Sequence, residues 1–135
     1  MKGAERFLDT NVLLYLLSGD EARADRAEAE VASGGLVSVQ VLNEFAAVAV
    51  RKLGLSIGEV RIALDAVRAG CDVVPMTEAT HDTGLDLAGR HRLPIHDAMI
   101  LAAATLSGCR VLLSEDFQHG RRFGELVVRN PFRLG

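Results

Sequence analysis

Short, nearly continuous apolar runs punctuate this chain. Between them lie longer segments whose apolar residues recur every three or four positions. The runs predict strands at residues 5–8, 36–38, Cys71–Val74, Val111–Leu113 and Leu126–Arg129. The longer segments predict helices at 10–17, Glu21–Ala32 and 40–53, a fourth from a Ser56 cap to Gly70, a fifth from a Thr77 cap to about residue 91, and a sixth at 95–107. Glycines stop several of these helices: Gly34-Gly35, Gly54 and Gly108. Ser56 with Glu59 three residues on forms a capping box. Pro75 ends the third strand and Pro94 opens the sixth helix.

Five short strands separated by helices imply an α/β fold with a mainly parallel sheet and helices on both faces. Parallel strands are buried on both sides, which suits unbroken runs such as VLL and DVV better than alternation would. At 135 residues, one domain spanning 1–135 is the simplest expectation, large enough to bury a real core. In such folds ligands bind beyond the carboxyl ends of the strands, where the strand order reverses. Asp9 follows the first predicted strand and Asp116 the fourth. If those two strands flank the reversal, their carboxylates converge.

Composition narrows the function. Aromatics make up only 4% of the chain and Trp is absent, so the core must be built from Leu, Val, Ile and Ala. No apolar run reaches the roughly 18 residues of a membrane span. Asp9 and Asn11 interrupt the apolar stretch near the N-terminus, which therefore does not read as a signal peptide. A net charge of −3 argues against holding nucleic acid by bulk electrostatics, but not against a nuclease whose acids cluster with bases around them. Two cysteines, Cys71 and Cys109, make no disulfide framework and point to a reducing, cytoplasmic setting.

Four acids stand beside apolar runs. Asp9 sits at a strand-to-helix junction, where an ordinary N-cap would also place an aspartate. Glu44 lies in VSVQVLNEFAAVAV, a helix on which a buried acid is costly unless paired or bound to metal, although a thin solvent stripe would also explain it. Asp97 starts a nearly all-apolar helix, where it would complement the helix dipole. Asp116 follows VLLSE, where a turn would equally call for it. Each has an ordinary explanation, but all four together require four coincidences.

FLDTNVLL, VLNEFAAV, IHDAMILAAA and LLSEDFQHG, in that order, resemble the PIN domain, and within it the VapC-type toxins of bacterial toxin–antitoxin pairs. The likeness spans residues 7–132. It implies a three-layer α/β/α sandwich around a mainly parallel five-stranded sheet of order 3-2-1-4-5, with the strands before Asp9 and Asp116 adjacent. It also implies that Asp9, Glu44, Asp97 and Asp116 form the catalytic and metal-binding set. Thr10 and Asn11 would make the supporting turn, Ser114 would support the first aspartate, and Glu115 would add an outer carboxylate. His96 stands where a bulky apolar residue is common in the family, and its role is open. In that strand order Cys71 and Cys109 lie three strands apart, about 14 Å, too far for a disulfide.

Crowded carboxylates repel one another, and a hard divalent cation relieves the conflict. Mg²⁺ suits such oxygen ligands, Mn²⁺ accepts the same set, and no His/Cys cluster has zinc spacing. The resemblance implies a metal-dependent endoribonuclease that leaves a 5′-phosphate and a 3′-hydroxyl, works on RNA, forms a homodimer and is inhibited by a cognate antitoxin. Asp9, Asp97 and Asp116 would mainly bind metal, while Glu44 is open between binding metal, orienting water, or both. Arg90, Arg92, Arg121 and Arg122 flank the acids in sequence and are candidate RNA phosphate contacts. His119 has no assigned role. A haloacid-dehalogenase-type phosphatase is disfavoured, because position 11 is Asn and the only lysines are Lys2 and Lys52. The alternative is a non-catalytic or regulatory PIN-fold RNA-binding protein, which would ignore Mg²⁺.

Overall fold

The computed structural model describes residues 5–133. The chain begins with β1 (Arg6–Leu8), α1 (Thr10–Leu14), a 3₁₀ turn (Tyr15–Leu17), α2 (Glu21–Ala32), β2 (Gly35–Ser38) and α3 (Val39–Leu53). It continues through α4 (Ile57–Gly70), β3 (Cys71–Val74), α5 (Glu78–His91), α6 (Ile95–Leu106), β4 (Val111–Leu113), β5 (Arg122–Phe123) and β6 (Leu126–Arg129). The strands form one sheet in the order β3-β2-β1-β4-β6-β5.

The expected order of five parallel strands is present, with β6 as the fifth. The sixth strand, β5, is a two-residue edge paired antiparallel to β6. Two residues carry no periodicity, so no sequence pattern could have announced it. The expected helix at 10–17 divides: α1 ends at Leu14 and the chain tightens into the 3₁₀ turn, closed by the bond from Ser18 N–H to the Tyr15 carbonyl, 3.0 Å. Capping residues act as expected. Ser56 and Glu59 form a reciprocal capping box, Thr77 caps α5, and Gly54 ends α3 with φ 70°.

Neighbouring residues on a strand point to opposite faces of the sheet. Phe7 and Leu8 are both inaccessible, as are Leu36 and Val37, and Leu112 and Leu113 are at most 1% exposed. The sheet is therefore covered on both faces, giving helix, sheet and helix layers around one core. Cys71, at the start of β3, and Cys109, before β4, are both buried, with β2 and β1 between their strands. Among the described residues no helix is long and apolar enough to cross a membrane.

Register positions the functional end of the sheet. Arg6, Phe7 and Leu8 pair with Val111, Leu112 and Leu113, so β1 and β4 end together. Asp9 N–H then donates to the Leu113 carbonyl at 3.0 Å, setting Asp9 beside Ser114. α3 is anchored by Val41, Phe45 and Ala49, all inaccessible and four residues apart. This leaves Glu44, Val48 and Arg51 on an adjoining face. Phe45→Ala should cost about 3–5 kcal/mol, the range for a fully buried aromatic. Urea unfolding should show the loss as a lower midpoint, and a cost under about 1 kcal/mol would contradict this anchoring.

Candidate active site

Asp9 combines two of the expected roles. It is the N-cap of α1, with extended backbone, and its Oδ1 accepts from Thr10 N–H at 2.7 Å. Its Oδ2 accepts from Ser114 Oγ at 2.7 Å and from Asn11 Nδ2 at 3.3 Å. The residue is only 3% exposed. Burial pushes its pKa from 3.8 up to about 7. The Ser114 hydroxyl opposes this rise, the charge of Asp116 adds to it, the Thr10 amide opposes it, and Asp97 adds again.

Ser114 joins the two strand ends. A hydroxyl has one hydrogen to donate and lone pairs to accept with. Ser114 Oγ donates to Asp9 and accepts from Asp116 N–H at 3.0 Å and from Asn11 Nδ2 at 3.3 Å. Asn11 Oδ1 in turn accepts from Glu115 N–H at 3.1 Å. One buried serine thus ties Asp9, α1 and the loop after β4 into a single unit.

Next to Asp9, which does not itself line it, is an open cleft of about 420 Å³ reached through Thr10 and Asn11. Glu44 of α3, Asp97 at the start of α6 and Asp116 after β4 all line it, with Thr10, Asn11, Arg51 and His96. Asp97 also has a raised pKa, caused first by burial and then by the charges of Asp116 and Glu44, with His96 acting in the opposite direction. Glu44 is held at both oxygens. Its Oε2 accepts from Thr10 Oγ1 at 2.8 Å, and its Oε1 accepts from Gln40 Nε2 at 2.9 Å and lies 2.7 Å from His96 Nδ1.

The sequence profile of the PIN domain matches residues 6–123, a span that takes in Asp9, Glu44, Asp97 and Asp116. The chain belongs to the PIN domain family. Solved structures of the same fold include a toxin–antitoxin complex from Klebsiella pneumoniae, with TM-score 0.71 and 21% identity over 96% of this chain and 99% of that one. Another is VapC20 of Mycobacterium tuberculosis, a toxin that cleaves the sarcin-ricin loop, with TM-score 0.66 and 22% identity over 82% and 91% of the two chains. A third is VapBC2 of Rickettsia felis bound to a promoter DNA fragment, with TM-score 0.68 and 16% identity over 93% and 97%. At these identities the likeness is one of fold. No curated protein sequence matches the chain.

The remaining candidate residues of this PIN domain lie outside the cleft lining. Glu115 is not among the residues lining the cleft; its carboxylate lies next to it, against Arg23, Oε2 to Nη1 3.5 Å, beside Tyr15. Arg90, Arg92, Arg121 and Arg122 are not among the residues lining the cleft. Arg121 lies over the Phe123 ring, 4.5 Å from its centre, and Arg92 closes α5 at φ 54°. His119 has a local role, accepting from Asn130 N–H at Nδ1, 3.0 Å. Three contributors went unrecognised: Gln40, Arg51, and His96 as a partner of Glu44. Helical spacing held the signal for two of them, since Gln40 lies four residues before Glu44 and Arg51 seven after.

Among the described residues no three acidic, histidine or cysteine side chains are grouped to hold one ion as they stand. The donor chemistry nonetheless fits a hard cation. Mg²⁺ commonly takes only one or two carboxylates, with water and substrate phosphate filling its other positions. A buried aspartate whose charged form is disfavoured, facing two further aspartates, is a donor set that a divalent cation would stabilise.

Proposed function

We propose that this PIN domain is a metal-dependent endoribonuclease of the VapC toxin type, restrained by a cognate antitoxin. The observation that carries the reading is the convergence of Asp97, Glu44 and Asp116 on one cleft, with a buried Asp9, held by Ser114, close enough to feel the charges of Asp116 and Asp97. Asp9, Asp97 and Asp116 would hold Mg²⁺, with Mn²⁺ able to substitute. When bound, the ion would ease loss of a proton from water and stabilise charge on the reacting phosphate. Both Glu44 oxygens already accept hydrogen bonds from the protein, which favours a role in orienting the attacking water over direct ligation. Thr10 and Gln40 fix its carboxylate for that task. The products would be a 5′-phosphate and a 3′-hydroxyl.

The solved relatives lend support by fold: one is a toxin–antitoxin complex and another a toxin that cleaves the sarcin-ricin loop. The antitoxin partner, the homodimer and the cytoplasmic setting belong to the same proposal. Sequencing of cellular RNA ends after brief induction, with Asp9→Asn as control, tests it. New 5′-phosphate ends are expected for the wild type alone, and identical end profiles would reject nuclease action. Ser114→Ala supplies a finer test. It removes a hydrogen bond to a charged group, typically about 1.5–3 kcal/mol, so cleavage should fall at least about tenfold. Unchanged cleavage would mean that Ser114 does not position Asp9.

A further inference from the structure

The acidic cleft is not isolated. A second hollow, about 370 Å³ and largely apolar, opens between α1, the 3₁₀ turn and the end of α3. Leu14, Tyr15, Leu17, Val48 and Leu53 line it, with Lys52 and with Glu115, whose carboxylate lies 3.5 Å from the Arg23 guanidinium. Asn11, Leu14 and Val48 line both cavities, so the two adjoin. Its size falls within the roughly 300–1,000 Å³ of small-ligand sites.

We infer that this hollow is a nucleotide subsite: it receives one unstacked base of a single-stranded RNA while Arg51 holds a phosphate at the junction with the acids. The inference rests on the nuclease reading. Two features favour RNA as the occupant. Arg51 is the only lysine or arginine among the described residues lining the acidic cleft, and its neighbour Lys52 lines the hollow. Two consecutive cations therefore flank a largely apolar recess whose one acid, Glu115, is paired with Arg23, beside a site for phosphate chemistry, which complements a backbone with a base turned aside. The hollow also contains an aromatic ring, Tyr15, at its wall. A base must leave its stack to enter, so paired RNA should be excluded.

Tyr15 is the only tyrosine and there is no tryptophan, so tyrosine emission reports on this one residue at the wall of the hollow. The full chain is titrated in EDTA, without catalysis, with an unlabelled mixed-sequence RNA hexamer, its abasic counterpart and a duplex of the same length. The emission is corrected for RNA absorbance. Anisotropy of end-labelled hexamer gives affinity against salt. The base-bearing hexamer should quench Tyr15 saturably, while the abasic one and the duplex should not. Arg51→Ala should weaken hexamer binding about five- to tenfold and reduce the salt slope by about 0.7, the value for one single-strand phosphate contact. Leu53→Glu, at a half-exposed position that leaves the core intact, should abolish the quench.

The proposal falls if Arg51→Ala binds like wild type with the same salt slope, or if abasic and base-bearing hexamers act alike on Tyr15. It also falls if an amphipathic peptide quenches Tyr15 and RNA does not, which would assign the hollow to a protein partner. Failure of the nuclease reading looks different: RNA would still quench Tyr15 in EDTA, yet no ends would form with Mg²⁺. A purely structural Arg51, placed at the α3 end to balance the helix dipole, would lower thermal stability and leave the salt slope unchanged.

Discussion

Asp9→Asn lowers RNA cleavage at least about a hundredfold while the protein stays folded, and Asp97→Asn does the same. A group that stabilises charge at a reacting centre typically contributes a factor of about a hundred or more when removed. The fold survives because Asn keeps the size of Asp9 and its Oδ1 can still accept from Thr10 N–H, the bond that caps α1. Removing one of several like charges also relieves repulsion, since the raised pKa values of Asp9 and Asp97 each include the charge of Asp116. The check is the cleavage rate under Mg²⁺ with purified variants, alongside far-UV circular dichroism. Wild-type rates from either variant, with contaminating nuclease excluded, would remove these residues from the machinery. A collapse of the spectrum would instead mean that the cap dominates.

Most of the frame was legible because strands and helices here are punctuated locally. Gly54, Pro94 and the Ser56–Glu59 pair mark boundaries by chemistry that acts within a few residues. The nearness of Asp9 to Asp116 followed from their strand-end positions once the strand order implied by the PIN resemblance was added. What stayed hidden depends on where side chains turn after leaving an element. Glu115 follows Ser114 by one residue yet faces Arg23 instead of the cleft. Arg121 and Arg122 come soon after Asp116 in sequence, but β5 carries Arg122 to the sheet edge, and Arg121 stacks on Phe123. Proximity in sequence does not bring these arginines into the cleft lining, whereas periodicity on α3 sets Arg51 on the face of Glu44 and in the same cleft.

In metal-free buffer, the protein should lose stability as pH rises from about 4 to 7, and Asp9→Asn should lose less. In the unfolded chain an aspartate releases its proton near 3.8, whereas in the folded protein burial holds the Asp9 proton to about 7. Between these values the folded state binds a proton that the unfolded state has released, so rising pH favours unfolding. The favourable contribution is fully present below about pH 4, drains away through the window, and is gone above about 7. A rise from 3.8 to about 7 corresponds to about 4 kcal/mol at most. Other acids titrate in the same range, so the informative quantity is the difference between wild type and Asp9→Asn at each pH. That difference should favour the variant increasingly from pH 5 to 7.5 in EDTA thermal melts. Mg²⁺ should reverse it, because a cation that binds only the folded, ionised site stabilises by about 2.7 kcal/mol at a hundredfold excess over Kd. A difference that stays flat across pH, and does not respond to Mg²⁺, would mean that Asp9 is already ionised in the folded protein and needs no cation.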